Sequence, residues 1–324
     1  MDGPAAIGRM GAVLARHGVT AFLPTAVSAP IERLAAFVAE VGEARREAER
    51  TPAGGASKPT PRAEILGANL EGPALDPGHR GAHNPAVLVD PAVLLAAWQS
   101  APERWAGVRV VTLAPERPGG MDLLARLVAA GVVASIGHTG ASFEEAWAAY
   151  DAGAASTTHL FNAMTGLHHR APGVVGAALL HQRPAVELIA DGVHVVAPLW
   201  PLLWRVAGER LLVVSDALPA AGVGDGTLDL GGLQVTVRGP RATLADGTIA
   251  GSVTLLDGAW KNLLAAGIPP WAASRALSET PARLLGLNDR GTLAPGARAD
   301  LVVSSPQGDV ERVMIGGLWV DGDA

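Results

Sequence analysis

Five ionisable residues fall at the ends of successive apolar runs. Glu71 directly follows Ile65–Leu70, His138 lies two residues after Ile136, and His159 directly follows Thr158. His194 comes shortly after Val186–Ile189, and Asp216 shortly after Val214. One carboxylate and two imidazoles suit a divalent metal that keeps an open position for water. Such a cation lowers the pKa of bound water to roughly 7 and makes hydroxide at neutral pH. A separate Asp is then free for proton transfer. Singly, each residue has a plainer reading. A lone His is more often a surface or hydrogen-bonded residue, Glu71 before Gly72-Pro73 can end a strand, and Asp216 can cap a turn. The same placement repeated along the chain favours one shared site.

For those residues to meet, the apolar runs must lie side by side. Val19–Leu23, Ile65–Leu70, Val108–Leu113, Val132–Ile136, Ala155–Thr158, Val186–Ile189 and Leu211–Val214 are short and bounded by turn residues, the pattern of buried parallel strands. Helical patterns lie between them. Ile31, Leu34, Phe37, Val38 and Val41 recur at helical spacing, Gly131 follows the stretch Met121–Ala130, and Ser142-Phe143-Glu144-Glu145 is a capping box with Gly153 at the far end. This alternation predicts an α/β fold with a mainly parallel sheet. In a parallel α/β barrel these strand ends would all open on the face that carries active sites.

The last third changes character. Gly231–Arg238 and Arg241–Leu244 read as a hairpin turning at Gly239-Pro240, followed by helical stretches around Ser252–Ala266 and Pro269–Leu285. Asp300–Ser304 and Val310–Val320 read as strands of a small β-unit, and Thr51–Ala63 as a surface loop rich in Pro and Gly. The expected layout is a barrel over residues 1–285 with a β-hairpin insertion near 228–250, then a small β-domain over 286–324.

Composition excludes several classes. With 324 residues, 49% of them hydrophobic, and a net charge of −6, the chain is not disordered and can bury a large core. No run of about 18 apolar residues exists. The most apolar stretch, Val186–Ala207, is interrupted by Glu187, Asp191, His194, Pro198, Pro201 and Arg205. No cationic leader precedes an apolar segment, so a cytoplasmic protein without a membrane partner is expected. Cys is absent, which removes disulfides, thiolate metal sites and a Cys nucleophile. A pI near 5.8 argues against nucleic acid as a partner. Neither G-x-S-x-G nor a phosphate-cradling P-loop occurs, and Gly222-Val223-Gly224-Asp225-Gly226 reads as a flexible turn.

Several blocks together are distinctive. Asn69-Leu70-Glu71-Gly72-Pro73, Gly137-His138-Thr139, Thr158-His159-Leu160-Phe161-Asn162-Ala163-Met164, Ala190-Asp191-Gly192-Val193-His194 and Ser215-Asp216-Ala217 resemble, in order and spacing, the N-acetylglucosamine-6-phosphate deacetylase family of the amidohydrolase superfamily. The segments Glu279–Gly286 and Gly291–Val302 are similar to the closing segment of that superfamily. The resemblance covers nearly the whole chain. It implies a (β/α)8 TIM-like barrel of the amidohydrolase type with a small β-sandwich domain. It implies a metal site of Glu71, His138 and His159, and Asp216 as catalytic acid/base. Sugar contacts would come from His83 and His194, with Asn162, Ala163 and Arg170 around a phosphate. The expected cofactor is one divalent ion per subunit, Zn²⁺ foremost, with Fe²⁺, Co²⁺ and Ni²⁺ also suited to the donor set. A homodimer is expected, because in the family a phosphate-side basic residue can come from the neighbouring subunit.

The implied reaction is hydrolysis of N-acetylglucosamine 6-phosphate to glucosamine 6-phosphate and acetate. The alternatives are the galactosamine epimer as substrate, or a truncated, non-catalytic sugar-phosphate-binding protein. The family pattern also places a β-segment and a first barrel strand ahead of Val19–Leu23. The expectation is therefore a barrel short of its first strand and a partial β-sandwich, with an in-frame extension upstream of Met1.

Overall fold

The computed structural model describes residues 3–50 and 61–320. In chain order the first part forms α1 (Gly3–Arg16), β1 (Ala21–Phe22), β2 (Thr25–Val27), α2 (Ile31–Arg50), β3 (Glu64–Ile65), β4 (Ala68–Glu71) and α3 (Pro91–Ser100). Then β5 (Val108–Leu113), α4 (Gly120–Ala129), β6 (Val133–Ile136), α5 (Phe143–Asp151), β7 (Ser156–Thr157), α6 (Gly173–Leu180), β8 (Ala185–Ile189), α7 (Trp200–Ala207) and β9 (Leu211–Val214) alternate regularly. Seven strands make one parallel sheet in the order β2-β4-β5-β6-β7-β8-β9. Each neighbouring pair is joined through a helix, the long connection that parallel strands require. The result is an α/β half-barrel with β2 and β9 as its edges.

The local sequence accounts for these elements. Strand β5 is buried at all but one position, because helices cover one face and the barrel interior the other. Helix α2 buries Leu34, Phe37, Val38 and Val41, the stripe that its spacing predicts. Helix α4 buries Leu123, Leu124 and Leu127 completely, and truncating such a side chain costs roughly 2–5 kcal/mol. At the start of α5, Ser142 Oγ accepts the Glu145 N–H (3.2 Å), while Glu145 Oε2 accepts the Ser142 N–H (2.8 Å). The capping box is therefore closed on both sides.

Some apolar runs break where the sequence reading kept them whole. Val19–Leu23 is not the barrel strand. Its Ala21–Phe22 pairs with β3 in a separate two-stranded piece, and the barrel edge is Thr25–Val27 beyond Pro24. Pro24 offers no N–H to a ladder, so the chain steps there. Ile65–Leu70 likewise divides at Gly67, whose φ is +136° and whose Cβ, if present, would lie 2.4 Å from the Gly107 carbonyl oxygen. Of the expected loop Thr51–Ala63, residues 51–60 lie outside the described residues.

The hairpin reading holds and widens. β10 (Gly226–Leu230), β11 (Leu233–Arg238), β12 (Arg241–Thr243) and β13 (Ile249–Gly251) form a four-stranded antiparallel sheet. Leu218, Val235, Val237 and Ala242 give it a core of its own. After α8 (Leu256–Ala265), the stretch read as one helix is two, α9 (Pro270–Leu277) and α10 (Glu279–Leu284), because Ser278 leaves helical geometry at φ −129°. β14 (Leu301–Ser304), β15 (Val310–Ile315) and β16 (Leu318–Trp319) complete a three-stranded sheet. Val310–Val320 is thus a hairpin, turning at Gly316 and Gly317, both with positive φ. Val313 and Ile315 bury against Ala15 of α1, tying the tail to the start of the barrel. Among the described residues no helix is long and apolar enough to cross a membrane.

Candidate metal centre and active site

Glu71 ends β4, and His138, His159 and Asp216 each follow their strand by two residues. Among the described residues five non-glycine positions have positive φ: His138 (+48°), His159 (+33°), Phe161 (+78°), Ala163 (+50°) and Asp216 (+49°). All lie just beyond the strand ends of one sheet. Such backbone costs on the order of 1–3 kcal/mol per residue and persists where the surroundings impose it. Gly137 lets the ends of β6 and β7 come together. A Cβ there would lie 2.7 Å from Thr158 Cβ and 2.9 Å from Thr112 Cγ2.

Three ligand atoms converge as a result. Glu71 Oε1 is 3.0 Å from His138 Nε2 and 3.1 Å from His159 Nε2, and the two imidazole nitrogens are 3.0 Å apart. Donors about 2.0–2.1 Å from a tetrahedral Zn²⁺ would be separated by about 3.3 Å, so the spacing fits a shared ion. Proton counting points the same way. His138 lies between two oxygens, with Nδ1 3.0 Å from the His79 carbonyl and Nε2 on Glu71. Burial pushes His138 down to about 4, so the ring is neutral and has one N–H for two acceptors. With that proton on Nδ1, donated to His79, a lone pair faces Glu71.

Burial works against charge on Glu71 and His159 too, but their mutual contact prevails. The imidazoles hold Glu71 well below the usual carboxylate range, and Glu71 brings His159 up to about 9. A proton on His159 Nε2 satisfies one of the three short contacts. A divalent cation satisfies all of them.

His83 enters the same cluster. Glu71, His83 and His138 offer ligand atoms within 4.8 Å of one another, and this buried set fits a divalent metal site. Its tautomer differs from that of His138, however. His83 Nδ1 accepts the Ser28 backbone N–H (3.2 Å), with the Ser28 hydroxyl 2.8 Å away. A neutral His83 therefore carries its proton on Nε2, which is 3.7 Å from Glu71 Oε1. It is arranged as a donor into the site rather than a lone-pair ligand. Gly72 makes this possible, since a Cβ there would lie 2.3 Å from Ser28 Oγ.

On the opposite side, Asp191 orients His194. Its Oδ1 accepts the Val193 and His194 backbone N–H groups (2.8 and 2.9 Å), and its Oδ2 accepts His194 Nδ1–H at 2.7 Å. Burial opposes the Asp191 charge, but these bonds outweigh it and lower its pKa. His194 Nε2 then faces Asp216 Oδ2 at 4.0 Å. The Asp216 carboxyl is pushed up to about 7, first by burial and then by the charge of Glu71. Its side chain remains 31% exposed, toward a cavity of ≈2270 Å³ that Glu71, His83, His138, His159 and His194 also line.

Asn162 and Ala163 line that cavity, and Asn162 Nδ2 donates to the carbonyls of His159 and Leu160. Arg170 does not join them within one chain. It is exposed on the turn after Gly166, where its Nη1 donates to His169 Nε2 at 2.8 Å. Three contributors escaped the sequence reading as site residues: Ser28, Asp191 and Glu187. Glu187 could have been noticed, because it is the one charge inside the apolar strand Ala185–Ile189.

The family profile described as the amidohydrolase family matches residues 12–320. An N-acetylgalactosamine-6-phosphate deacetylase of Escherichia coli O157:H7 is 37% identical over 323 residues, covering 98% of this chain and 81% of that protein. An N-acetylglucosamine-6-phosphate deacetylase of Vibrio furnissii is 36% identical over 319 residues, 96% of this chain and 75% of that protein. A mutant N-acetyl-D-glucosamine-6-phosphate deacetylase of Mycobacterium smegmatis, solved in complex with N-acetyl-D-glucosamine-6-phosphate, superposes with a TM-score of 0.84. It is 37% identical, over 97% of this chain and 80% of that one. The chain belongs to the amidohydrolase family, within the group formed by the N-acetylglucosamine- and N-acetylgalactosamine-6-phosphate deacetylases.

Proposed function

We propose that the protein removes the acetyl group of an N-acetylhexosamine 6-phosphate, with N-acetylglucosamine 6-phosphate as substrate, giving glucosamine 6-phosphate and acetate. The observation that carries this reading is the convergence of Glu71, His138 and His159 beside Asp216, in a chain of this family. Glu71, His138 and His159 would hold the divalent ion, Zn²⁺ by donor set, with His83 and His194 donating or accepting at the sugar and its acetamide. When bound, the ion supplies polarisation of the amide carbonyl and activation of water. Asp216 takes the proton from the attacking water and returns it to the departing amine nitrogen, so that amide and water become amine and acetate. A pKa near neutrality suits a group that must do both. His194, fixed by Asp191, orients the sugar beside Asp216. The phosphate would be met by Asn162, Ala163 and the Arg170 guanidinium, whose fork matches phosphate oxygens bidentately. Because Arg170 is exposed in the single chain, this role goes with a homodimer in which the turn bearing it faces a second copy.

The galactosamine epimer is the second reading, favoured by the similarity to the Escherichia coli relative. Acetate release measured with both epimers separates the two. At least tenfold higher kcat/KM for N-acetylglucosamine 6-phosphate is expected, and the reverse preference would replace the first substrate with the second.

A further inference from the structure

His138 and His159 are anchored in different ways. The ring of His138 is held through Nδ1 by the His79 carbonyl. The corresponding nitrogen of His159 is buried and has no hydrogen-bond partner among the described residues. A metal-ligating imidazole ordinarily has its second nitrogen held by a carboxylate, carbonyl or water, which sets the ring's aim. Within the protein, the aim of His159 is set through its backbone, which is in the left-handed region at φ +33°.

One residue grips that backbone on both sides. Glu187 Oε2 accepts the His159 N–H at 3.2 Å, and the Glu187 carbonyl accepts the Leu160 N–H at 2.9 Å. Its carboxylate is set in turn by Ser156 Oγ–H, 3.0 Å from Oε1. Glu187 points inward from β8 to the cavity beside His159, although it reaches no ligand atom of the cluster within hydrogen-bond distance. We propose that Glu187 is the positioning residue for His159: its side chain, braced by Ser156, holds the His159 turn so that Nε2 meets Glu71 and His138. The inference rests on the reading that those three residues hold a divalent ion. What matters is the reach of the side chain to the His159 N–H, not its charge.

Two conservative variants separate reach from charge. Glu187→Gln keeps the length and an acceptor oxygen but loses the charge. Glu187→Asp keeps the charge but is one methylene too short. The full chain, stripped of metal, is titrated with Co²⁺ and followed by d–d absorption, which reports both affinity and ligand geometry. Glu187→Gln should bind within about threefold of the unsubstituted chain and with its spectrum, whereas Glu187→Asp should bind roughly 10–100-fold more weakly with altered bands. Should Glu187→Asp not fold, Ser156→Ala reads the same brace and should weaken binding by about threefold or more. Equal affinity for Glu187→Asp, or for Ser156→Ala where that variant stands in, would overturn the inference. So would a loss in Glu187→Gln as large as in Glu187→Asp, since charge would then be what matters. An unsubstituted chain that takes up no Co²⁺ would overturn the metal reading itself, a result distinguishable from both.

Discussion

His138 Nε2 lies 3.0 Å from Glu71 Oε1 while its Nδ1 lies 3.0 Å from the His79 carbonyl, so the single N–H of a neutral His138 ring cannot serve both acceptors. A cation at Nε2 would leave that N–H on Nδ1 for His79 and satisfy both contacts. Removing either imidazole by His138→Ala or His159→Ala should therefore weaken divalent-metal binding by at least 100-fold, because the remaining donors cannot close the site. Competition against a chelating dye measures this. Unchanged affinity in both variants would count against the ligand set.

Protons and metal should compete for the same atoms. His159 is brought up to about 9 in the folded, metal-free chain, so at about pH 7–8 it carries a proton that must leave before Nε2 can ligate. Binding should then release about one proton from His159, with a further share from Asp216, whose pKa is about 7. Affinity should climb as pH rises toward 9 and flatten beyond it. Calorimetry in buffers of different ionisation enthalpy reads the proton count. No release near neutral pH would show that His159 is not displaced from its proton.

Asp216→Asn keeps the size and hydrogen-bonding shape of the side chain but cannot carry a proton to the amine. Turnover should fall by roughly 100-fold or more while metal content and Tm stay close to those of the unsubstituted chain. Near-normal kcat in a folded, metallated variant would remove Asp216 from the chemistry.

Arg170→Ala should raise KM for the phosphorylated sugar by about tenfold or more, from the loss of charge-assisted bonds of roughly 1.5–3 kcal/mol. The unphosphorylated sugar should be processed almost as before. Equal losses on both substrates would mean that Arg170 organises the site rather than reading phosphate.

The strand ends were legible because buried parallel strands are continuously apolar, so an ionisable residue just past one stands out, as Glu71, His138, His159 and Asp216 do. The capping box at Ser142 was legible because its partners are three residues apart. What escaped depends on distant partners or on backbone geometry. The tautomer of His83 is set by Ser28, 55 residues away, and no local pattern carries that. Glu187 touches His159 across 28 residues, through a backbone N–H that every residue but proline owns. The barrel edge at Thr25–Val27 was misplaced because apolarity marks burial, whereas the step at Pro24 is a matter of ladder hydrogen bonds.

The account is tested most directly by titrating the metal-stripped chain with Zn²⁺ while following acetate release from N-acetylglucosamine 6-phosphate. The predicted result is no release from the stripped chain, then a rise in rate that saturates at one ion per chain and disappears in His138→Ala. Release that persists in the stripped chain at the same rate, or no release from the fully metallated chain with either epimer, would contradict a metal-dependent deacetylase built on Glu71, His138 and His159.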